Sequence, residues 1–330
     1  MRIRFISDIH AGLNMTYTPT EFVAHMLKKE PADVTLVAGD MDADIYEAKK
    51  FLENYFKDEK VVFIGGNHIV YNRRGKTLEA LISDYRKEFN GQWKFIENDY
   101  VWLSDDITVI GTIGWTDFLF GHQSKSEYVK KINSRKEYIK KHPKVFFDGK
   151  WQDVIYTDNL PEDPAEYYDD HLMGNKERYR AIRMHDALRG MNDYNYGKMK
   201  YKGKIIPMSP QYIYKLHRLA MKEIRRCYDE IVAKNPNATI ILMTHHPFTH
   251  RCLSSYYVGH QLNAAFMSDH DRWLKQFKNI KYIQCGHVHQ RFFKTISDKQ
   301  LICNPMGYLH AYEDHQDIPF DINKIIEIGA

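Results

Sequence analysis

The chain has 330 residues, of which 43% are hydrophobic and 27% charged, a length that can bury a sizeable core in one large domain or one domain with an insertion. A formal net charge of +4 is too mild to declare a nucleic-acid or membrane partner on its own. Four widely spaced cysteines without a Cys-x-x-Cys pair suggest neither a disulfide framework nor a structural zinc site, and no run approaches the roughly 18 apolar residues of a membrane span.

The apolar start, Met1 to Asp8, is too short for the core of a signal peptide. Together with reduced Cys227, Cys252, Cys285 and Cys303, this leads to the expectation of a soluble, cytoplasmic enzyme. Ile3–Ser7 reads as a buried strand. Thr18-Pro19-Thr20-Glu21 then reads as a helix start, with Thr18 as N-cap and Glu21 closing a capping box. The helix it opens places Phe22, Val23, Met26 and Leu27 on one face. Strands follow at Asp33–Ala38, Val61–Ile64 and Ile107–Ile113, with helices at Ile45–Phe56 and Thr77–Phe89. Alternation of this kind implies right-handed crossovers and a layered α/β sheet.

The rhythm breaks after Trp115. Residues 121–215 hold 19 Lys plus Arg against 13 Asp plus Glu, and 11 of the 23 tyrosines. This segment lacks clear strands, has helical patterns near 125–141 and 174–190, and is polar around Asn159–Pro164. It reads as a helical insertion or cap that divides an α/β core into 1–120 and 216–330. A dimerisation element is the competing use, because Tyr and Arg are enriched at interfaces. The core pattern resumes with a helix over Gln211–Lys234, a strand at Thr239–Met243 and a helix near Ala264–Phe277. Further strands follow at Lys281–Cys285, Phe292–Ile296 and Leu301–Cys303.

Five short segments stand at strand ends: Asp8-Ile9-His10, Gly39-Asp40, Gly66-Asn67-His68, His245-His246-Pro247 and Gly286-His287-Val288-His289. In open α/β sheets, ligands bind beyond the carboxyl ends of the strands, so these loops can converge. Asp8 and His10, like His287 and His289, are two apart and project to one side of an extended chain. The glycines stand at sharp strand-to-loop turns, where their backbone freedom is useful. Carboxylate, amide and imidazole donors without thiolate favour Mn, Fe, Ni, Co or Zn over calcium.

As an ordered series these motifs resemble the calcineurin-like metallophosphoesterase superfamily. The resemblance implies a β-sandwich flanked by helices with a binuclear metal centre at its edge, here carrying a helical insertion. By motif position, Asp8, His10, Asp40 and His289 would hold one metal. Asp40, Asn67, His245 and His287 would hold the second, with Asp40 bridging and manganese the favoured ion. His68 would be the catalytic group that stabilises or protonates the leaving oxygen. The family pattern continues Gly-Asn-His with an acidic residue, whereas this chain has Ile69, so Asp42 or Asp44 is the candidate substitute partner for His68. His246 supports a ligand or packs beside Pro247. Asn14, His250 and Arg251 are candidates for substrate contact, each with a structural role as the alternative. Asn304-Pro305-Met306-Gly307-Tyr308 resembles a stretch some superfamily members carry there and reads as a turn closing the sheet near the site.

The expected activity is metal-dependent phosphoester hydrolysis by a metal-bridging hydroxide, with no Ser or Cys set up as nucleophile. A phosphodiester of nucleotide or cyclic-nucleotide type is the first-choice substrate, since the Tyr-rich segment could stack a base. A nuclease and a phosphoprotein phosphatase are the enzyme alternatives. A non-catalytic interaction scaffold is disfavoured because all seven ligand positions are filled.

Overall fold

The computed structural model describes residues 1–71, 75–122, 133, 137, 144–147, 150–153, 175–254, 257, 260–296, 298–310 and 318–329. Strands β1 (Arg2–Ile6), β2 (Val34–Val37), β3 (Lys60–Phe63) and β4 (Trp93–Phe95) run parallel. The last strand, β15 (Ile325–Glu327), pairs antiparallel with β1, giving the order β15-β1-β2-β3-β4. A second sheet has the order β13 (Phe292–Ile296), β14 (Lys299–Cys303), β12 (Ile280–Cys285), β11 (Thr239–Thr244), β6 (Ile107–Thr112), β5 (Asp99–Trp102). Its inner four strands are parallel and its two edge strands antiparallel.

The sheets pack face to face through Ile3, Phe5, Leu36, Val62 and Ile64 of one and Val109, Ile241, Met243 and Ile302 of the other. Parallel strands covered on both faces must be apolar on both, which explains the continuous apolar runs at Phe5–Ile6, Leu36–Ala38 and Ile240–Met243. Helices α1 (Ala11–Tyr17), α2 (Pro19–Leu27), α3 (Ile45–Tyr55) and α4 (Leu78–Glu88) cover the first sheet through Phe22, Met26, Phe51, Leu52 and Leu81. The other sheet is covered by the long helix Pro210–Lys234, which buries Ile213, Ala220, Ile224, Cys227 and Ile231 in one stripe. The result is an α/β sandwich flanked by helices. No described helix is long and apolar enough to cross a membrane.

Several local expectations are corrected. The Thr18 hydroxyl makes no cap to α2 and instead donates to the Asn14 carbonyl at 3.2 Å, because Thr18 also closes α1 and its side chain is claimed by that helix end. Phe22 and Met26 are buried, but Leu27 is 78% exposed. Residues 121–215 are not free of strands. Hairpins β7 (Lys144–Phe147) with β8 (Lys150–Asp153), and β9 (Lys198–Tyr201) with β10 (Lys204–Pro207), lie within them. Helices α5 (Lys176–Gly190) and α6 (Asp193–Tyr196) precede α7, the Pro210–Lys234 helix. The helical pattern near 125–141 and the polar stretch around 159–164 lie almost entirely outside the described residues. The helix expected over 264–277 is two short ones, α8 (Asn263–Phe266) and α9 (Asp271–Leu274). Between them Ser268 N–H donates to the Pro247 carbonyl and His270 N–H to the Phe248 carbonyl, so those amides serve a neighbouring loop and not a helix.

Candidate metal centre

All five motif loops leave the C-terminal ends of parallel strands: Asp8 and His10 after β1, Asp40 after β2, Asn67 and His68 after β3, His245 after β11, and His287 and His289 after β12. The loops are stitched to one another by backbone bonds, Asp8 N–H to the Gly39 carbonyl, His10 N–H to the Asp40 carbonyl and Gly286 N–H to the His245 carbonyl. Five of these residues have left-handed backbone: Asp8 (φ 50°), His10 (44°), Asp40 (49°), His287 (67°) and His289 (48°). Such conformations cost about 1–3 kcal/mol each for non-glycine residues and gather where side chains must be aimed. Glycine is needed for two different reasons. Gly39 adopts φ +88°, a torsional requirement. Gly66 and Gly286 are matters of space: a Cβ would stand 1.9 Å from Asp40 Oδ1 at the first and 2.4 Å from Asp8 Oδ2 at the second.

The donors form two adjoining groups. In one, His10 Nε2 and His289 Nε2 are 3.2 Å apart, and His289 Nε2 is 3.4 Å from Asp8 Oδ1. In the other, Asn67 Oδ1 lies 3.0 Å from both His245 Nε2 and His287 Nδ1, and His245 Nε2 is 3.2 Å from Asp40 Oδ2. Asp40 offers an oxygen within 4.8 Å of donors of both groups, His10 and Asp8 of the first and His245 of the second, and of His68 as well. Its second oxygen, Oδ1, accepts from His68 N–H at 3.0 Å, while Asp8 Oδ1 accepts from His287 N–H at 2.9 Å.

These residues fit a pair of divalent cations. Asp8 and Asp40 are 0% and 3% exposed, and among the described residues their ion-pair partners are imidazoles only. Asp8 Oδ2 is buried without any hydrogen-bond partner, a costly state that a cation would relieve. Burial works to raise the Asp40 carboxyl, yet His245 and His68 hold it well below the usual carboxylate range. Burial also opposes charge on His245, but Asp40 and Asp8 push it up to about 9, so the buried carboxylates draw positive charge onto the nearest available group. His10 and His287 are held well below the ordinary histidine value, burial first, and so present neutral imidazole. The His245 ring is fixed by its other nitrogen, 2.9 Å from the Ala38 carbonyl.

His68 faces the same point, its Nε2 being 3.9 Å from Asp40 Oδ2. Neither Asp42 nor Asp44 is its partner. Asp42 accepts from Gly12 N–H and Asp44 N–H, and Asp44 caps α3 through Tyr46 N–H, so both carboxylates are taken up by local backbone. The group beside His68 Nε2 is the Tyr308 hydroxyl, 3.0 Å away. Tyr308 also stacks on His10 at 4.4 Å and meets the His289 ring at 4.9 Å, which makes the 304–308 turn a wall of the site. Burial lowers His68 from its ordinary value. On the Asn67 side, its amide donates to the Tyr71 hydroxyl, and that hydroxyl lies 3.3 Å from Asp193 Oδ2. Asp193 comes from α6, and burial pushes its carboxyl up to about 6.

A cavity of about 550 Å³ opens from these groups. It is lined by Tyr71, Tyr196, Tyr257 and Phe266, with Asn192, Asn263 and Tyr308 among the polar contributors. Gly190, Met191, Asn192 and Tyr196 bring residues 121–215 to its wall. His250 and Arg251 are not in that wall. His250 pairs with Asp269 and Asp271, and Arg251 with Asp271, on the exposed face of the next turn. Asn14 is buried with its amide spent internally: it donates to the Ile9 and Gly307 carbonyls and accepts from Leu309 N–H, thereby holding both flanks of Tyr308. His246 packs 4.1 Å from the His287 ring, behind the donors. Tyr308, Tyr71 and Asp193 went unmarked in the sequence, where only a turn reading of 304–308 pointed toward the first.

A β-sandwich whose strand ends present a buried, cation-seeking cluster of carboxylates, amide and imidazoles defines a metal-dependent hydrolase centre. The calcineurin-like phosphoesterase family matches residues 1–194, more than half of the chain, and the chain belongs to that family. It is accordingly a metal-dependent phosphoester hydrolase. The match includes Asp8 through His68, while His245, His287 and His289 lie beyond it and are joined to those donors by the fold. Comparison with curated proteins finds no match. Among solved structures, the fold is similar to a phosphopantetheinyl hydrolase from Mycobacterium tuberculosis, with TM-score 0.52, 13% identity, and coverage of 93% of this chain and 89% of that one. A putative 5'-nucleotidase from Staphylococcus aureus aligns with TM-score 0.42 and 12% identity, over 92% of this chain and 48% of that one.

Proposed function

We propose that the chain is a phosphodiesterase for small nucleotide-type esters, working with two divalent ions. Asp8, His10, Asp40 and His289 would hold one ion, and Asp40, Asn67, His245 and His287 the other. Asn67 Oδ1 set 3.0 Å from both His245 Nε2 and His287 Nδ1, beside Asp40 Oδ2, is the observation that carries this assignment. Manganese is the favoured ion among Mn, Fe, Ni, Co and Zn for this mixed carboxylate, amide and imidazole set without thiolate. When bound, the ions supply Lewis acidity, making hydroxide accessible near neutral pH and neutralising phosphate oxygens.

The chain's own residues do the remaining work. Asp40, within reach of both donor groups, would contribute the negative charge that offsets the repulsion of two cations held there. His68, aimed at the same point and steadied by Tyr308, delivers a proton from Nε2 to the leaving oxygen. The Tyr71 hydroxyl and the Asp193 carboxylate hold the Asn67 amide so that its oxygen faces inward. Residues 121–215 act as a cap, since Met191, Asn192 and Tyr196 stand on the cavity wall.

Two features support a small diester over a nucleic-acid strand. The cavity offers about 550 Å³ beyond the donors, with aromatic faces suited to a base. Among the described residues its lining contains no Lys or Arg to follow the phosphates of a polyanion. Hydrolysis of 2',3'- and 3',5'-cyclic nucleotides and of single-stranded oligonucleotides, each at low and high salt, tests the reading. Turnover of a cyclic nucleotide that is little affected by salt supports it. Steeply salt-sensitive cleavage of the oligonucleotide alone would replace it with the nuclease.

A further inference from the structure

Outside the centre, Asp117, His217 and His270 bring one carboxylate and two imidazole nitrogens together, all within 4.8 Å of one another. They come from three separate elements: the loop after β6, the middle of α7, and the residue before α9. His217 is 2% exposed, and its Nδ1 lies 3.0 Å from the Gly114 carbonyl and 3.2 Å from the Trp115 carbonyl. Carbonyls only accept, so Nδ1 carries the hydrogen and Nε2 is left as a bare lone pair. That lone pair points at His270 Nε2, 3.0 Å away. Asp117 Oδ2 lies 3.9 Å from the same His270 nitrogen, too far for a hydrogen bond. The other Asp117 oxygen, Oδ1, already accepts from Leu119 N–H at 3.0 Å. Two Nε2 atoms facing each other beside a carboxylate repeat the relationship of His10 and His289, 3.2 Å apart beside Asp8.

We infer that Asp117, His217 and His270 form a second, separate metal site that binds one zinc-type divalent ion per chain. Two neutral imidazoles and a carboxylate are a donor set for a borderline ion, and the carbonyl bonds at His217 Nδ1 fix the tautomer that such a ligand requires. The ion has a structural consequence. Asp117 lies just before residues 121–215 and His217 just after them, so one ion would clamp the two points where that segment leaves and rejoins the core. Two bonds already gather there: Arg180 Nε donates to the Asp117 carbonyl at 3.1 Å and the Tyr179 hydroxyl to the Phe120 carbonyl at 2.8 Å.

The test is metal stoichiometry after equilibrium dialysis of the full chain against micromolar Zn²⁺, with Asp117→Asn and His270→Ala as variants. The wild type should hold three ions per chain and each variant two, with faster proteolytic cutting within residues 121–215 in the variants. Co²⁺ loading of the wild type and His270→Ala should show the loss of one set of visible bands. A wild type that saturates at two ions, or a His270→Ala protein that keeps three, overturns the site. The wild-type count alone decides the matter if a variant does not fold.

Discussion

The Tyr308 hydroxyl stands 3.0 Å from His68 Nε2, across 240 residues of sequence. In this chain, which has Ile69 where the family pattern has an acid, that hydroxyl is the group in place to orient the imidazole. Tyr308→Phe removes one such contact, worth about 0.5–1.5 kcal/mol, so kcat should fall roughly 2–10-fold with little change in KM. His68→Ala should cost about 10²–10⁴-fold, and more on esters with alkyl leaving groups than on p-nitrophenyl esters, which need no proton. Equal losses on both leaving groups would remove His68 as the proton donor.

The Asp193–Tyr71–Asn67 chain should act on metal affinity more than on chemistry. Tyr71→Phe and Asp193→Asn each loosen the Asn67 amide, and changes of that kind typically cost about 10–100-fold in affinity. Titrating activity with Mn²⁺ should show a higher half-saturating concentration and a nearly unchanged plateau. A lower plateau at unchanged affinity would place the pair in the chemical step.

The donor loops were legible because each follows a run of apolar strand residues and carries a recognisable polar signature. What stayed hidden is contact across distance. Tyr308 acquires its role only when the sheet closes on His10 and His289, and Asp193 only when α6 lies against Asn67–Tyr71. Local signals also misled where a neighbour claimed the same atoms. Thr18 looked like a cap but belongs equally to the end of α1, and the 264–277 pattern breaks where Ser268 and His270 amides serve Pro247 and Phe248. The β9–β10 hairpin was masked by its lysines. Lys202 (φ 46°) and Gly203 (φ 79°) make its tight turn, but Lys-Gly is a weaker signal than Asn-Gly.

Gly66→Ala should abolish metal-dependent turnover. The added carbon would lie 1.9 Å from Asp40 Oδ1, and Asp40 is the carboxylate both donor groups share. Circular dichroism should remain close to wild type, since the clash is confined to the strand ends, while bound metal drops below one ion at the centre. Retained activity would show that Asp40 can move without cost and is not the bridging group.

Glu97, outside the donor set, provides a separate pH test. It is 3% exposed and accepts from Ile113 N–H and the Thr112 hydroxyl, and burial pushes its carboxyl from 4.5 up to about 8. Between those values the folded chain keeps a proton that the unfolded chain has released, so this group's contribution to stability falls as pH rises from about 5 to 8 and flattens above. Glu97→Gln should therefore gain on the wild type by about 1–3 kcal/mol across that window, read from denaturant unfolding of chelator-treated protein. A difference that does not vary with pH would contradict the assignment.

The most direct test is to strip the protein with chelator, restore Mn²⁺, and compare hydrolysis of bis-p-nitrophenyl and mono-p-nitrophenyl phosphate by the wild type and Asp40→Ala. The account expects turnover that returns with metal, favours the diester, and is lost in the variant. Preference for the monoester, or turnover that survives chelation or the loss of Asp40, would contradict it.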